Sequence, residues 1–301
     1  MNSDEPSSAT AFVPGHITGF FSAHRAADSR RAGSRGAGVA LTDGVRVTVT
    51  RGTDVRLNGD SVDIAAVDGV LDALGGDAAV DAETPLPLGT GFGVSGALAL
   101  GTALAANAFF DGGRTENELI TFAHRAEVDA GTGLGDVVAQ ARGGLPIRLE
   151  PGAPAFGELD GIVAAPRIEY CTFGERSTES ILGGNTDRLS AAGERALDRL
   201  LAGPTVDRFM TVSREFADEA GLLTSDVADA IAAVDDHGGT AAMAMLGRTV
   251  FATGTGLSAA GFDPRVCSVD FAGGRLCRVD NVVDGVDGSD ETSRRPALGQ
   301  K

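Results

Sequence analysis

Between Val39 and Thr50 apolar and polar residues alternate on either side of Asp43-Gly44, a pattern that predicts a β-hairpin. Asp54 to Asp63, around Asn58-Gly59, predicts a second. Upstream of these, residues 1–9 are polar and read as a frayed start, and Ala11-Phe-Val13 as a short strand stopped by Pro14-Gly15. Ser29 to Gly38, rich in glycine and arginine, reads as a flexible loop. Ala65 to Leu74 then predicts a short helix, Ala78 to Glu83 a strand, and Leu98 to Phe110 a long apolar helix. Thr115-Glu-Asn-Glu118 is a capping box that opens the next helix, on which Ile120, Ala123, His124 and Glu127 share one face. Val137 to Arg142 is helical and ends at Gly143-Gly144, and Leu145 to Leu149 is a strand carrying Arg148.

Pro151 to Asp160 reads as a linker and places a domain boundary there. Beyond it a strand is expected in Ile162 to Cys171. Ser180 to Asn185 then leads to amphipathic helices near Asp187–Leu201, Thr205–Ala220 and Ser225–Asp235. Gly238 to Ala252 predicts two short strands about a turn at Leu246-Gly247; a helix from Gly256 and strands in Arg265 to Phe271 and Leu276 to Val279 follow. Strands first and a glycine-loop helix afterwards suit an α+β fold better than a βαβ repeat. The expected units are residues 10–150, residues 151–283 and a disordered acidic tail at 284–301.

Charge changes the picture of the surface. The formal charge is −17, and 24 of the 25 basic residues are arginine, Lys301 being the one lysine. Such a surface suits high intracellular salt, where screening tolerates self-repulsion and carboxylates hold water. No basic stripe is available for nucleic acid. Cys171, Cys267 and Cys277 are odd in number and lack ligand spacing, so they are expected to be small buried hydrophobes. Met1 to Pro6 has no apolar h-region, and the longest apolar run, Val94 to Phe110, is too short to span a bilayer. A cytoplasmic protein without a membrane partner is expected.

The candidate chemistry starts in Pro85 to Ala97. Gly89, Gly91 and Gly93 alternate with Thr90 and Phe92, so backbone can approach a ligand without Cβ interference. Successive N–H groups and the start of the following helix then form an anion cradle. Gly91 to Gly96 fits G-x-G-x-x-G, with Asp111 twenty residues after Gly91, but Thr84 to Pro87 separates the turn from its strand, against a dinucleotide fold. A Walker loop is excluded by the absence of G-K-[ST]. A plain glycine turn capping a buried helix is the bland alternative.

Pro87-Leu-Gly-Thr-Gly-Phe-Gly-Val-Ser-Gly-Ala97 resembles the phosphate loop of the GHMP kinases, roughly P-x-G-x-G-L-G-S-S-A. Ser95 corresponds to the second serine, and Val94 replaces the first. The resemblance implies ATP binding by Pro87, Gly89, Thr90, Gly91, Phe92, Gly93, Val94, Ser95, Gly96 and Ala97. It also assigns Glu127 and Ser95 to Mg²⁺ and Asp136 to the acceptor hydroxyl, the three being the implied catalytic set. The family's P-S-G-x-x-D is reduced here to Gly133-Leu-Gly-Asp136. At a helix start Asp136 would be held ionised, to accept or orient a hydroxyl proton; an ordinary N-cap is compatible with that.

Pro14-Gly15-His16-Ile-Thr18-Gly-Phe-Phe is similar to the pantoate kinase branch of the family. That similarity implies pantoate and ATP as substrates and 4-phosphopantoate as product, with homoserine, shikimate and mevalonate as alternative acceptors. His16, Ser22, His124 and Arg148 are the implied substrate contacts, with Phe20 or Phe21 as an apolar wall. For Ser22 a loop hydrogen bond, and for Arg148 an exposed strand position, are equally open. Met243 to Arg248 stands where the family carries a third glycine-rich loop, without the usual run of glycines. The implied fold has two domains with nucleotide and substrate between them, and is compatible with a homodimer. A silent nucleotide-binding protein would keep the glycines but need neither Glu127 nor Asp136.

Overall fold

Two long antiparallel neighbours, β1 (Pro6–His24) and β2 (Gly33–Thr50), carry the architecture in a computed structural model that describes residues 6–175 and 186–281. The segment Ser180 to Asn185 and the acidic stretch from Asp284 lie outside the described residues. The two strands stay paired from Ser8↔Thr50 to His24↔Gly33. Pro14-Gly15 therefore does not stop a strand, and Asp43-Gly44 does not turn one. Pro14 faces Gly44 and Gly15 faces Leu41, so both signals are absorbed in one bulge of a continuous ladder. Pro6 to Ala9 are not frayed, because β12 (Arg275–Asn281) zips onto their other side.

The glycines of the supposed flexible loop serve close approach instead. A Cβ at Gly36 would meet the Phe20 carbonyl, and one at Gly38 would meet the His16 ring. Only glycine lets these strands lie together there.

The remaining elements follow the predicted periodicities, except that residues 158–160 of the expected linker belong to a strand that pairs with Leu145–Glu150. They are β3 (Val55–Leu57), β4 (Asp60–Ser61), α1 (Ala65–Leu74), β5 (Ala79–Glu83), α2 (Val94–Phe109), α3 (Glu116–Ala130), α4 (Asp136–Arg142) and β6 (Leu145–Glu150). After these come β7 (Glu158–Ile162), β8 (Ile168–Thr172), α5 (Asp187–Leu201), α6 (Val206–Glu219) and α7 (Ser225–Asp236). The described chain ends with β9 (Ala241–Ala244), β10 (Thr249–Thr253), α8 (Gly256–Ala259), β11 (Arg265–Cys267) and β12. The first sheet runs β12-β1-β2-β5-β3-β4, with β6 and β7 continuing from the other half of β2. A second sheet has the order β11-β8-β10-β9.

Helix α2 lies across β1 and β2, with α1 and α3 beside it. It is buried almost all round, and a Cβ at Gly101 would stand 2.5 Å from Val47, so small residues bring helix and sheet together. The capping box at Thr115 is formed in both directions. Phe20 joins Phe209 and Phe216 at 6.5 Å ring separations, which locks β1 to α6 beside the second sheet. Cys267 is buried and Cys171 half-buried, but Cys277 is exposed on the edge strand β12, where only one side is paired.

Candidate functional site

The glycine loop enters α2 through Gly93, which takes φ 62° as the N-cap, and no side chain caps the helix. Gly89 and Gly91 also have positive φ, 73° and 93°, a conformation that favours glycine. The first intrahelical bond is Ala97 N–H to the Gly93 carbonyl, so the N–H groups of Val94, Ser95 and Gly96 are free to meet an anion. Side chains and backbone from three directions hold the loop. His16 N–H donates to the Phe92 carbonyl at 2.9 Å, Gln140 Nε2 to that of Gly93 at 2.9 Å, and Thr249 Oγ1 to that of Thr90 at 2.8 Å. The segment Met243 to Arg248 packs on the loop although Gly247 is its one glycine. A Cβ on Gly91 would stand 2.9 Å from the Met245 carbonyl, and one on Gly247 would collide with that of Thr90.

The loop borders a cavity of about 760 Å³. Gly89, Gly91, Phe92, Gly93, Val94, Ser95 and Gly96 line it, facing Glu127, Thr132, Asp136 and Met245. Thr90 is turned inward, its hydroxyl on the Pro87 carbonyl at 2.8 Å, and Ala97 is buried in α2. A second hollow of about 730 Å³, around Asp43, Arg46 and Glu83, holds no loop glycine and none of the implied catalytic side chains. The candidate catalytic side chains line the first.

Glu127 is buried on α3, and both Ser95 Oγ, at 2.5 Å, and Thr132 Oγ1, at 2.9 Å, donate to its Oε1. Burial raises its pKa from 4.5 to about 7 against those hydrogen bonds. A carboxylate so desolvated, next to a hydroxyl and free helix N–H groups, suits a divalent cation brought in on phosphates. Magnesium is commonly held by one or two carboxylates plus substrate oxygens. Among the described residues no group of three or more His, Cys, Asp or Glu could hold a metal by itself.

In the ligand-free protein the raised pKa makes Glu127 a pH-dependent strain. Below pH 4.5 both folded and unfolded chains hold the proton; between 4.5 and about 7 only the folded chain does. Stability therefore falls as pH rises through that window, by on the order of 3 kcal/mol from this group. Glu127→Gln is expected to melt above the wild type at pH 8 without nucleotide, the gap closing towards pH 4.5. A gap independent of pH in calorimetry would refute the assignment.

Asp136 stands at the start of α4 with its side chain 23% exposed to the cavity. Its Oδ1 lies 2.7 Å from His16 Nδ1 and 3.3 Å from Thr18 Oγ1. Burial opposes its ionisation, but the hydrogen bond from His16, the nearby Arg148 charge and the Thr18 hydroxyl outweigh it, leaving the pKa below the ordinary value. Arg148 is buried beside it. Its Nε donates to Ser34 Oγ at 3.2 Å, while Nη1 has no partner. A Cβ at Gly135 would come within 2.7 Å of that Nε, so the turn before Asp136 rests on the guanidinium. Thr18, Phe21, Ser34 and Leu246 complete a small inner pocket of about 20 Å³ there, which shares Thr18, Asp136 and Leu246 with the main cavity.

The other implied substrate contacts are engaged elsewhere. His124 is buried on α3 with Nε2 against the Ala32 carbonyl at 2.9 Å, and borders neither space. Ser22 donates to Glu194 at 2.5 Å and lies 3.0 Å from His24, in a cluster that Arg35 joins. His16 reaches Asp136 rather than the open cavity. Of the two phenylalanines, Phe21 lines the inner pocket and Phe20 is packed away. Thr18 and Gln140 were missed by sequence reading. Thr18 was legible only as part of the segment around His16, and Gln140 carried no signal.

Loop, glutamate and aspartate thus occur in the order and setting of the GHMP kinases, and residues 64–144 match the family described as GHMP kinases N terminal domain. A pantoate kinase of Methanocaldococcus jannaschii is 34% identical over 250 residues, spanning 80% of this chain and 90% of that protein. One from Thermococcus kodakarensis is 34% identical over 260 residues, spanning 80% and 86%. A solved structure titled "Phosphotransferase related to CoA biosynthesis pathway" is similar at TM-score 0.81 and 29% identity, over 90% of this chain and 99% of that one. The chain belongs to the pantoate kinase family, within the GHMP class of ATP-dependent small-molecule kinases.

Proposed function

We propose that this protein transfers the γ-phosphoryl group of ATP to the primary hydroxyl of pantoate, forming 4-phosphopantoate and ADP in coenzyme A biosynthesis. The observation that carries the acceptor is Arg148, a buried guanidinium with an unpartnered Nη1 at the inner end of the cavity, beside Asp136. A carboxylate there meets an arginine fork, and charge-assisted pairing offsets the desolvation that Arg148 now bears alone. The Asp136 carboxylate accepts or orients the hydroxyl proton as the oxygen attacks phosphorus, and the bond to the ADP oxygen breaks. The N–H groups of Val94 to Gly96 hold the phosphates. Glu127 and Ser95 would hold Mg²⁺, which when bound neutralises the charge on the transferring phosphoryl group.

The space beside Arg148, about 20 Å³, has room for a group about the size of a water, and Thr18, Asp136 and Leu246 line both it and the main cavity. The bulk of pantoate then lies in the main cavity with its acid towards Arg148, past Leu246, which sits at φ 68°, unusual for a branched side chain. This reading carries a cytoplasmic location and the division into units 10–150 and 151–283. It is tested by ADP release in molar KCl with MgATP and a panel of acceptors. Pantoate is expected to turn over fastest and neutral alcohols poorly. Faster phosphorylation of mevalonate or homoserine would reassign the acceptor within the kinase class.

A further inference from the structure

We propose that His16 is a positioning residue for Asp136: as the neutral Nδ1–H tautomer it holds Oδ1 and leaves Oδ2 to face the acceptor hydroxyl. The inference rests on the reading that Asp136 meets that hydroxyl. Both hydrogen bonds to Asp136 among the described residues, from His16 Nδ1 at 2.7 Å and Thr18 Oγ1 at 3.3 Å, end on Oδ1. Two donors on one oxygen fix the rotation of the carboxylate, which keeps its partial exposure on the cavity side.

The tautomer follows from what surrounds the ring. His16 is fully buried on β1, and its Nε2 has no hydrogen-bond partner. Gly38, on the neighbouring strand, lies so close that a Cβ there would strike Nε2 and Cε1. A proton on Nε2 alone would leave an N–H buried without an acceptor and turn the Nδ1 lone pair on an ionised carboxylate at 2.7 Å. Protonating both nitrogens would bury a cation with an unpaired N–H; the Asp136 carboxylate favours that form, but burial and the Arg148 guanidinium oppose it. The neutral Nδ1–H form satisfies the contact and leaves no buried N–H unpaired. Burial also holds the imidazole below its ordinary pKa, in the same sense. A neutral donor orients the aspartate while leaving its charge in place, where a cation in van der Waals contact would weaken it as a proton acceptor.

Side-chain amides separate this role from mere packing. The nitrogen of asparagine can occupy the place of Nδ1, whereas that of glutamine reaches towards Nε2. With MgATP and pantoate, His16→Asn is expected to keep kcat within about fivefold, and His16→Gln to lose about ten- to fiftyfold with KM for ATP unchanged. Because His16 acts through Asp136, adding His16→Gln to Asp136→Asn, itself slower by at least about tenfold, is expected to cost no more than about a further twofold. In the unsubstituted protein, NMR of the imidazole nitrogens should show Nδ1 protonated and Nε2 bare at His16, a readout that needs no variant to fold. The reverse tautomer or an imidazolium overturns the proposal. So do equal losses in His16→Asn and His16→Gln with Asp136→Asn slow, an outcome that spares the role of Asp136. An Asp136→Asn variant at the wild-type rate overturns both.

Discussion

Replacing Ser95 with alanine is expected to lower kcat by about ten- to a thousandfold while barely moving the melting temperature, since donors at a transferring phosphate are worth a few kcal/mol. Ser95 sits in the first turn of α2, where no side chain caps the helix and the neighbouring N–H groups open into the cavity. In the ligand-free protein its hydroxyl donates to Glu127 at 2.5 Å. Losing that bond costs about 1 kcal/mol in the ground state, and Thr132 still donates to the same oxygen. The full effect therefore appears only when phosphates and metal occupy the cavity. Turnover at saturating MgATP, read beside a thermal melt, tests this. An alanine variant with wild-type kcat would remove Ser95 from the phosphate site.

Arg148→Ala is expected to raise KM for pantoate by about ten- to a hundredfold, the loss of a charge-assisted pair worth ~1.5–3 kcal/mol, with KM for ATP unchanged. Its unpartnered Nη1 points to an anionic ligand. The guanidinium is desolvated, its Nη1 is unpartnered, and Ser34 is its one hydrogen-bonded side chain among the described residues. Truncating so large a buried side chain also opens a cavity under the Gly135 turn, so the kinetics are read beside a thermal melt. The charge also helps keep Asp136 ionised, and its removal should move the acid limb of the kcat profile upward. Arg148→Met, which keeps the stem but not the charge, separates packing from recognition. An unchanged KM for pantoate in both variants would place the acid elsewhere in the cavity.

Where sequence reading failed, the cause was pairing between distant segments. Asp43-Gly44 is a strong local turn signal, yet it lies opposite Pro14 in a ladder whose two halves are secured by different partners. His124 shares a helical face with Glu127, but a face fixes direction and not neighbours. Only Glu127 meets the phosphate loop, while His124 meets the Ala32 carbonyl. Ser22 and Phe20 lie on the right strand and are drawn off by Glu194 and by α6.

By itself the sequence determined the parts governed by short-range physics. The glycine spacing of 89 to 93, the capping box at Thr115 and the helical periods of α1 and α5 to α7 all arise within a few residues. Ser95, Glu127 and Asp136 stand out through the resemblance to the GHMP kinases, and Arg148 as a cation suited to a small acid. The tertiary structure alone decided which buried polar groups face each other. His16 and Asp136 are 120 positions apart, Thr249 and Thr90 are 159 apart, and Gln140 reaches back to Gly93. No local pattern encodes such partners, because each is fixed by the need to satisfy a buried donor or acceptor once the sheets and helices have closed around it.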